Sequence, residues 1–294
     1  MIKHSNKNRI KDKVFEIWGL ISTLIGIVLL VIFIGDIFIE GVRRIDGQFL
    51  SSLPSMFADK AGVYPALMGS LWILFLTAII AFPVGVGAGI YLEEYGKKNW
   101  LSSLLEINIS NLAGVPSVIY GLLGLEIFVR ILGFGKSLLS GAMTLSLLVL
   151  PIVIVATREA IKAVPPSIRQ AAYGLGATKL QTIMTQVLPS SMGGILTGVI
   201  LALSRAIGET APVIVVGAAA YVGFAPENPM DEYSVMPIQI FDWISRPQEA
   251  FKVNAAAGII VLLFITIVMN GVAVYFRNRW QKKLNGKRKR RRIK

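Results

Sequence analysis

The sequence predicts an all-α membrane protein with six transmembrane helices, and three observations carry that prediction. Its 294 residues are 54% hydrophobic and only 16% charged, whereas a soluble globular domain carries about 25% charged residues. Mean hydropathy is +0.65. Runs of roughly 20 mainly apolar residues, the length that crosses a hydrocarbon layer as a helix, occur at 17–39, 66–91, 107–129, 137–157, 193–217 and 255–275. The basic residues sort with these runs. Of 30 Lys and Arg, 22 fall in alternate segments: the N-terminal tail, the connection between spans two and three, that between spans four and five, and the C-terminal tail. The opposite loops hold 7, and the remaining one, Arg205, lies inside a span. Because short cytoplasmic loops carry the excess of Lys and Arg, both termini are expected in the cytoplasm.

Residues 1–16 form a basic tail containing the single histidine, His4. The apolar run behind it is longer than the roughly 7 to 15 residues of a signal-peptide core and lacks a clear small-residue cleavage site, so it is expected to remain as the first helix. The second span carries Pro83, Gly85 and Gly89, the third Pro116, the fourth Pro151, and the fifth Gly194, Gly198 and Pro212. Helix breakers at this depth are tolerated where neighbouring helices or a cavity satisfy the freed backbone groups. Gly85 with Gly89, and Gly194 with Gly198, have the small-xxx-small spacing that lets helices approach closely. The longest internal connection runs from 158 to 189. There Ser167 is a candidate N-cap, Gly174 and Gly176 are candidate terminators, and a second amphipathic piece leads from Thr178 to Leu188 and Pro189. Two short helices with a small-residue corner are expected to form a knob facing the cytoplasm. The acidic external loop from 223 to 254 reads as partly interfacial, a surface helix anchored by Trp243. Residues 17–276 thus make one transmembrane domain, and the basic tail 277–294, with its run from Lys287 to Arg292, suits anionic membrane lipid.

The net charge of +13 follows the topology rather than one face of a soluble domain, so nucleic acid is not the expected partner. Cysteine is absent and the one histidine sits in a tail. The chain therefore has no thiolate or imidazole cluster for metal binding or nucleophilic catalysis, and no catalytic residue is assigned. Gly133-Phe134-Gly135-Lys136-Ser137 is superficially like a phosphate loop, but the first glycine such a loop needs falls at Arg130 and no strand precedes it. ATP hydrolysis is expected on another polypeptide.

Arg205 and Glu209 are the only charged residues between Lys179 and Glu227. An ionisable residue at mid-membrane costs about 2.5 to 3.5 kcal/mol on insertion scales, so it is seldom kept without a partner or a task. The planar donor fork of arginine matches phosphate oxygens, and a carboxylate one helical turn later lies on the same face. An uncompensated arginine would bind an anion too well to release it. The expected arrangement is a weak anion relay. Glu209 holds Arg205 when the path is empty and yields it in transit, with the Ser204 and Thr210 hydroxyls in support. A purely structural ion pair, or one shared with a partner subunit, is the competing reading. Pro116 and Ser117 are candidates for the same path or for packing, and Arg158 and Glu159 for a gate or an interfacial pair.

The 158–189 connection contains Gln170-Ala171-Ala172, then Gly176, then Gln186-Val187-Leu188-Pro189. It resembles the cytoplasmic signature of type I ABC importer permeases: Glu-Ala-Ala, three residues, Gly, nine residues, Ile-x-Leu-Pro. Gln170 stands in place of the acidic residue and Gln186 in place of the isoleucine. The strings from Gly114 to Gly121, Leu150-Pro151, and Leu203 to Pro212 are similar to those of phosphate permeases of the PstA type. The PstC-type partner carries a similar Arg and Glu motif, and the ending Glu209-Thr210-Ala211-Pro212 favours the PstA side. The resemblance implies a type I ABC importer permease fold that provides half of a translocation path for inorganic phosphate. It also implies a coupling helix, formed with Gln170, Ala171, Ala172, Gly174, Gly176, Leu188 and Pro189, that docks on an ATPase. The implied partners are a second homologous permease, a dimeric cytoplasmic ATP-binding subunit and an external phosphate-binding protein, assembled in a prokaryotic inner membrane. No cofactor would bind this chain, ATP and Mg being held by the ATPase. Permeases for molybdate, sulfate or phosphonate are the alternative, since a guanidinium binds any of these oxyanions.

Overall fold

The structure, a computed structural model, describes residues 2–96 and 99–291. Lys97, Lys98, and the side chains of His4 and of the run from Lys287 to Arg292, assigned above to inner segments, lie outside what it describes. Helix α1 (Ile2–Gly41) carries the basic tail into the first span as one rod. A 3-10 turn at Val42–Arg44 and short α2 (Gly47–Ser51) follow, the latter capped by Asp46, whose carboxylate accepts from the Phe49 N–H at 2.7 Å. This end is called outer, after the charge distribution. Helix α3 (Tyr64–Ile90) returns inward and closes in a π-helical turn, Tyr91–Tyr95. Then come α4 (Trp100–Leu112), α5 (Ser117–Gly124) with its π-helical extension Leu125–Ile131, and α6 (Leu138–Lys162). The inner connection holds α7 (Pro166–Gly174) and α8 (Lys179–Thr182). Helices α9 (Leu188–Ala206), α10 (Ala211–Val216), α11 (Met236–Ser245) and α12 (Glu249–Arg291) complete the chain.

Five helices among the described residues are long and apolar enough to cross a membrane, and a sixth span exists if one bent pair is counted as a single crossing. That pair corrects the third predicted span. Residues 103–112 and 117–131 meet at 101° rather than forming one rod. The cause is local: Pro116 has no N–H to give a helix and pushes Val115 out of the α region, so α5 restarts after Pro116 in an extended conformation (φ −55, ψ 135). The fifth predicted span is also divided. It runs as α9 to Ala206, breaks over 207–210, and resumes as α10.

Helix α6 is the centre of the bundle. On one side Gly85 and Gly89 of α3 face Val153 and Thr157, and on the other Gly194 and Gly198 of α9 face Ala160 and Ala156. A Cβ at any of the four would overlap its neighbour. In lipid, apolar surface gains little by leaving hydrocarbon for a helix interface, so close van der Waals contact between small residues carries the association. The core around these contacts includes Leu74, Ala81, Leu148, Val149, Val153, Ile195, Val199 and Ala202. A second cluster at the outer end joins Phe49, Met236, Trp243, Phe251 and Ala257. Trp243 is fully buried there, which corrects its reading as an interfacial anchor. The ring fills the space between α11, α12 and the loop after α1, whereas Phe241 and Ile244 on the opposite face of α11 are exposed.

A broken helix and an inner knob as the candidate functional site

Arg205 is the penultimate residue of α9, and Glu209 lies in the break beyond it. The helix tightens as it ends, with Gly208 N–H donating to the Arg205 carbonyl and Glu209 N–H to the Ala206 carbonyl, both at 3.2 Å. These i to i+3 bonds keep Glu209 within reach, and Arg205 Nε donates to its Oε1 at 3.0 Å. The predicted pair is therefore present, at a helix terminus rather than within a continuous helix. Its two members face different ways. The Arg205 side chain is 50% exposed on the flank of the bundle, while that of Glu209 is 16% exposed and borders a small cavity with Ser70, Ile73, Leu145 and Val213. The two helix breaks belong to packed neighbours: Gly121 of α5 sits against Pro212 of α10, Tyr120 shares one buried cluster with Ala206 and Ile207, and the Tyr120 hydroxyl donates to the Leu112 carbonyl at 2.8 Å across the first break.

The supporting hydroxyls are placed differently from expectation. Ser204 Oγ donates to the Ile200 carbonyl at 2.7 Å and contacts Asn270 Oδ1 of α12 at 2.5 Å, so it fastens α9 to α12. Thr210 Oγ donates to the Gly208 carbonyl at 3.4 Å, within the break. Pro116 and Ser117 open α5 one turn before the Tyr120 and Gly121 contacts.

The knob exists, with altered details. Helix α7 starts at Pro166 with Pro165 in the N-cap position, so Ser167 caps nothing. Proline fits this first turn because its missing N–H would have been unsatisfied anyway. Gly176 adopts φ +81, the left-handed conformation that stops a helix and that side-chain-bearing residues resist. Thr178 and Gln181 then form a reciprocal capping box for α8. From Lys179 the chain is continuous to Ala206. Pro189, expected to end the second piece, lies inside this rod because a π-helical turn at Ile183–Val187 absorbs the backbone defect just upstream. Gln170, Ala171, Gly174 and Gly176 are exposed, Ala172 partly so, and Leu188 and Pro189 are half-buried at the root. Tyr173, Leu175, Leu180 and Met184 present apolar surface to solvent around them.

Arg158 and Glu159 are not partners. Arg158 is buried, with Nη2 at 2.7 Å from Glu106 of α4 and Nε at 3.5 Å from Glu93, whereas Glu159 holds Lys162 at 3.2 Å. Periodicity could not reveal these long-range pairs, nor that of Arg169 with Glu94 at 2.8 Å. The one sequence signal was the clustering of Glu93 and Glu94 at the end of the second span.

The family described as the binding-protein-dependent transport system inner membrane component matches residues 82–282, well over half of the chain. The chain belongs to this family. The permease is 34% identical over 284 residues to the phosphate transport system permease protein PstA of Mycobacterium leprae (strain TN), covering 92% of this chain and 91% of that one. It is 33% identical over 249 residues to the probable ABC transporter permease protein YqgI of Bacillus subtilis (strain 168), covering 84% and 82%. Among solved structures, a bacterial ABC transporter involved in import of the acidic polysaccharide alginate matches with a TM-score of 0.60 at 14% identity, covering 92% of the permease and 99% of that chain. An inward-facing MetNI methionine ABC transporter matches with a TM-score of 0.59 at 14% identity, covering 73% and 94%. These likenesses show that the permease has the ABC importer membrane-subunit fold.

Proposed function

We propose that the permease forms half of the membrane path of an ATP-driven inorganic phosphate importer and couples that path to a cytoplasmic ATPase. The observation that carries this reading is Arg205, a half-exposed guanidinium at a helix break, held by one carboxylate. Discontinuous helices are where membrane transporters build ion and anion sites, since only there are polar backbone and side-chain groups free inside the bilayer. Relatives named as phosphate permeases support the choice of anion. In this reading a second homologous permease lies against the Arg205 flank, and an external phosphate-binding protein delivers the ion. Two ATP-binding subunits, which hold the ATP and Mg, receive the exposed knob at Tyr173, Leu175 and Leu180. Both termini lie in the cytoplasm of a prokaryotic cell.

The test is ATP-dependent uptake of labelled phosphate by the reconstituted complex, with sulfate and molybdate as competitors. Arg205→Gln is expected to cut uptake about tenfold or more, the cost of removing a charged hydrogen-bond partner of about 1.5 to 3 kcal/mol. Glu209→Gln is expected to slow turnover, because an uncompensated Arg205 releases the anion less readily. Normal uptake by both variants in correctly assembled complexes would overturn the relay. Transport of another oxyanion in preference to phosphate would overturn the substrate.

A further inference from the structure

Three consecutive residues at the inner end of α3 each hold a different element. Glu93 pairs with Arg158 of α6 at 3.5 Å. Glu94, its side chain only 7% exposed, accepts from both Nε and Nη2 of Arg169 on α7, at 3.0 and 2.8 Å. The Tyr95 ring lies under the Lys179 ammonium at the start of α8, 4.7 Å from the ring centroid. All three sit on the π-helical turn Tyr91–Tyr95, a departure from the α ladder of a kind frequent at functional sites. Arg169 also donates to the Ile161 carbonyl near the end of α6, which the Val164 N–H bonds as well, and to the Val164 carbonyl just beyond that helix.

Within the knob, α8 runs on into the α9 rod, whereas α7 has few other fastenings. Helix α7 contains no buried residue, and Ile168 is its partly buried contact with the cluster of Ile161, Val164 and Val187. Arg158 in turn lies between two carboxylates: Nη2 contacts Glu106 of α4 at 2.7 Å, while Nε, which makes no hydrogen bond, faces Glu93 at 3.5 Å. Helix α4 otherwise borders an open cleft lined by Ser110, Asn111, Val155 and Arg158. The charged residues lining this cleft are already paired, Arg158 with Glu106 and Lys162 with Glu159, so among the described residues it offers an anion no unpaired cation.

We propose that Glu94 and Glu93 are positioning residues of a clamp that passes movement of the knob to α4 through Arg158, opening and closing the inner cleft. Displacing α7 pulls Glu94, and with it Glu93 on the same turn. Arg158 then changes its division between Glu93 and Glu106, which holds or frees α4. A ligand-driven shift needs contacts that differ between the two states, and the two carboxylates on one guanidinium supply them. The proposal rests on the reading of the knob as the ATPase-docking element.

The experiment measures ATP hydrolysis and labelled-phosphate uptake together in the reconstituted complex, after assembly has been verified. Glu94→Gln and Arg169→Gln are expected to leave hydrolysis close to that of the unaltered complex while uptake per ATP falls about tenfold, within the usual range of coupling between sites. The exchanged pair, Glu94→Arg with Arg169→Glu, is expected to recover most of that ratio. An unchanged ratio in both single variants would overturn the clamp. So would parallel loss of hydrolysis and uptake without recovery in the exchanged pair, since that is the mark of a purely structural contact. Should the unaltered complex carry a different oxyanion, the phosphate reading fails while the ratio, measured with that ion, still decides the clamp.

Discussion

Arg205 and Glu209 remain joined although the helix connecting them has ended, because two i to i+3 hydrogen bonds hold the break compact. A solvated ion pair in this spacing is worth only about 0.2 to 1 kcal/mol, and the Arg205 side chain, 50% uncovered by this chain, meets that condition where the path fills with water. Such a bond is weak enough for an anion entering a hydrated path to displace. Asp231 illustrates the opposite case, a carboxylate tied firmly to backbone. Its Oδ2 accepts the N–H groups of Asn228 and Glu227 at 2.8 and 2.9 Å, which hold its carboxyl below the ordinary aspartate range. The same turn supplies the Pro229 and Asp231 carbonyls that accept from Leu139 and Leu138 at the start of α6. A depressed native pKa contributes stability that is complete above the ordinary aspartate value and is lost as pH falls through the native one. Amide protection at Glu227 and Asn228 is therefore expected to be independent of pH near neutrality and to collapse in acid. Asp231→Asn should remove that acid step, as read by hydrogen exchange.

Helix α6 is held on both sides by glycine pairs, so element packing is set by the smallest residues. Gly198→Val would force side-chain atoms into Ala156, and overpacking of this kind costs about 1 to 3 kcal/mol. A lowered unfolding temperature in detergent is expected. Gly26→Val on α1, where nothing lies within 4 Å, is expected to leave it unchanged. These glycine pairs were legible because their spacing is a property of one helix. The division of the third span at Pro116 was legible only as the presence of a proline, since the same residue type is absorbed inside α3 at Pro83 and inside α6 at Pro151. Whether a proline kinks, breaks or is tolerated depends on what neighbouring elements offer its freed carbonyl. Ser167 and Pro189 show the same limit. The N-cap moved to Pro165 and the rod passed through Pro189, because the π-helical turn before it was invisible to a search for 3.6-residue periodicity.

At the scale of the molecule, the absence of native cysteine makes topology directly testable. With single cysteines in intact cells, Glu227→Cys is expected to react with a membrane-impermeant maleimide from outside, and Lys11→Cys only after the membrane is opened. Labelling of both from the same side would overturn the five crossings expected between them. Much of this organisation was carried by the sequence alone. Composition and run length determined an α-helical membrane protein, the distribution of Lys and Arg its predicted orientation, and the loop motif its likeness to importer permeases, because each signal is local or additive along the chain. The tertiary structure decided which charges meet. Arg158 could have paired with Glu159 by proximity, yet it turns to Glu93 and Glu106, while Glu94, 75 residues before Arg169 in the chain, reaches the knob. The physical reason is that ion pairs in a poorly solvated environment form wherever folding brings opposite charges into contact, and sequence separation places no limit on that.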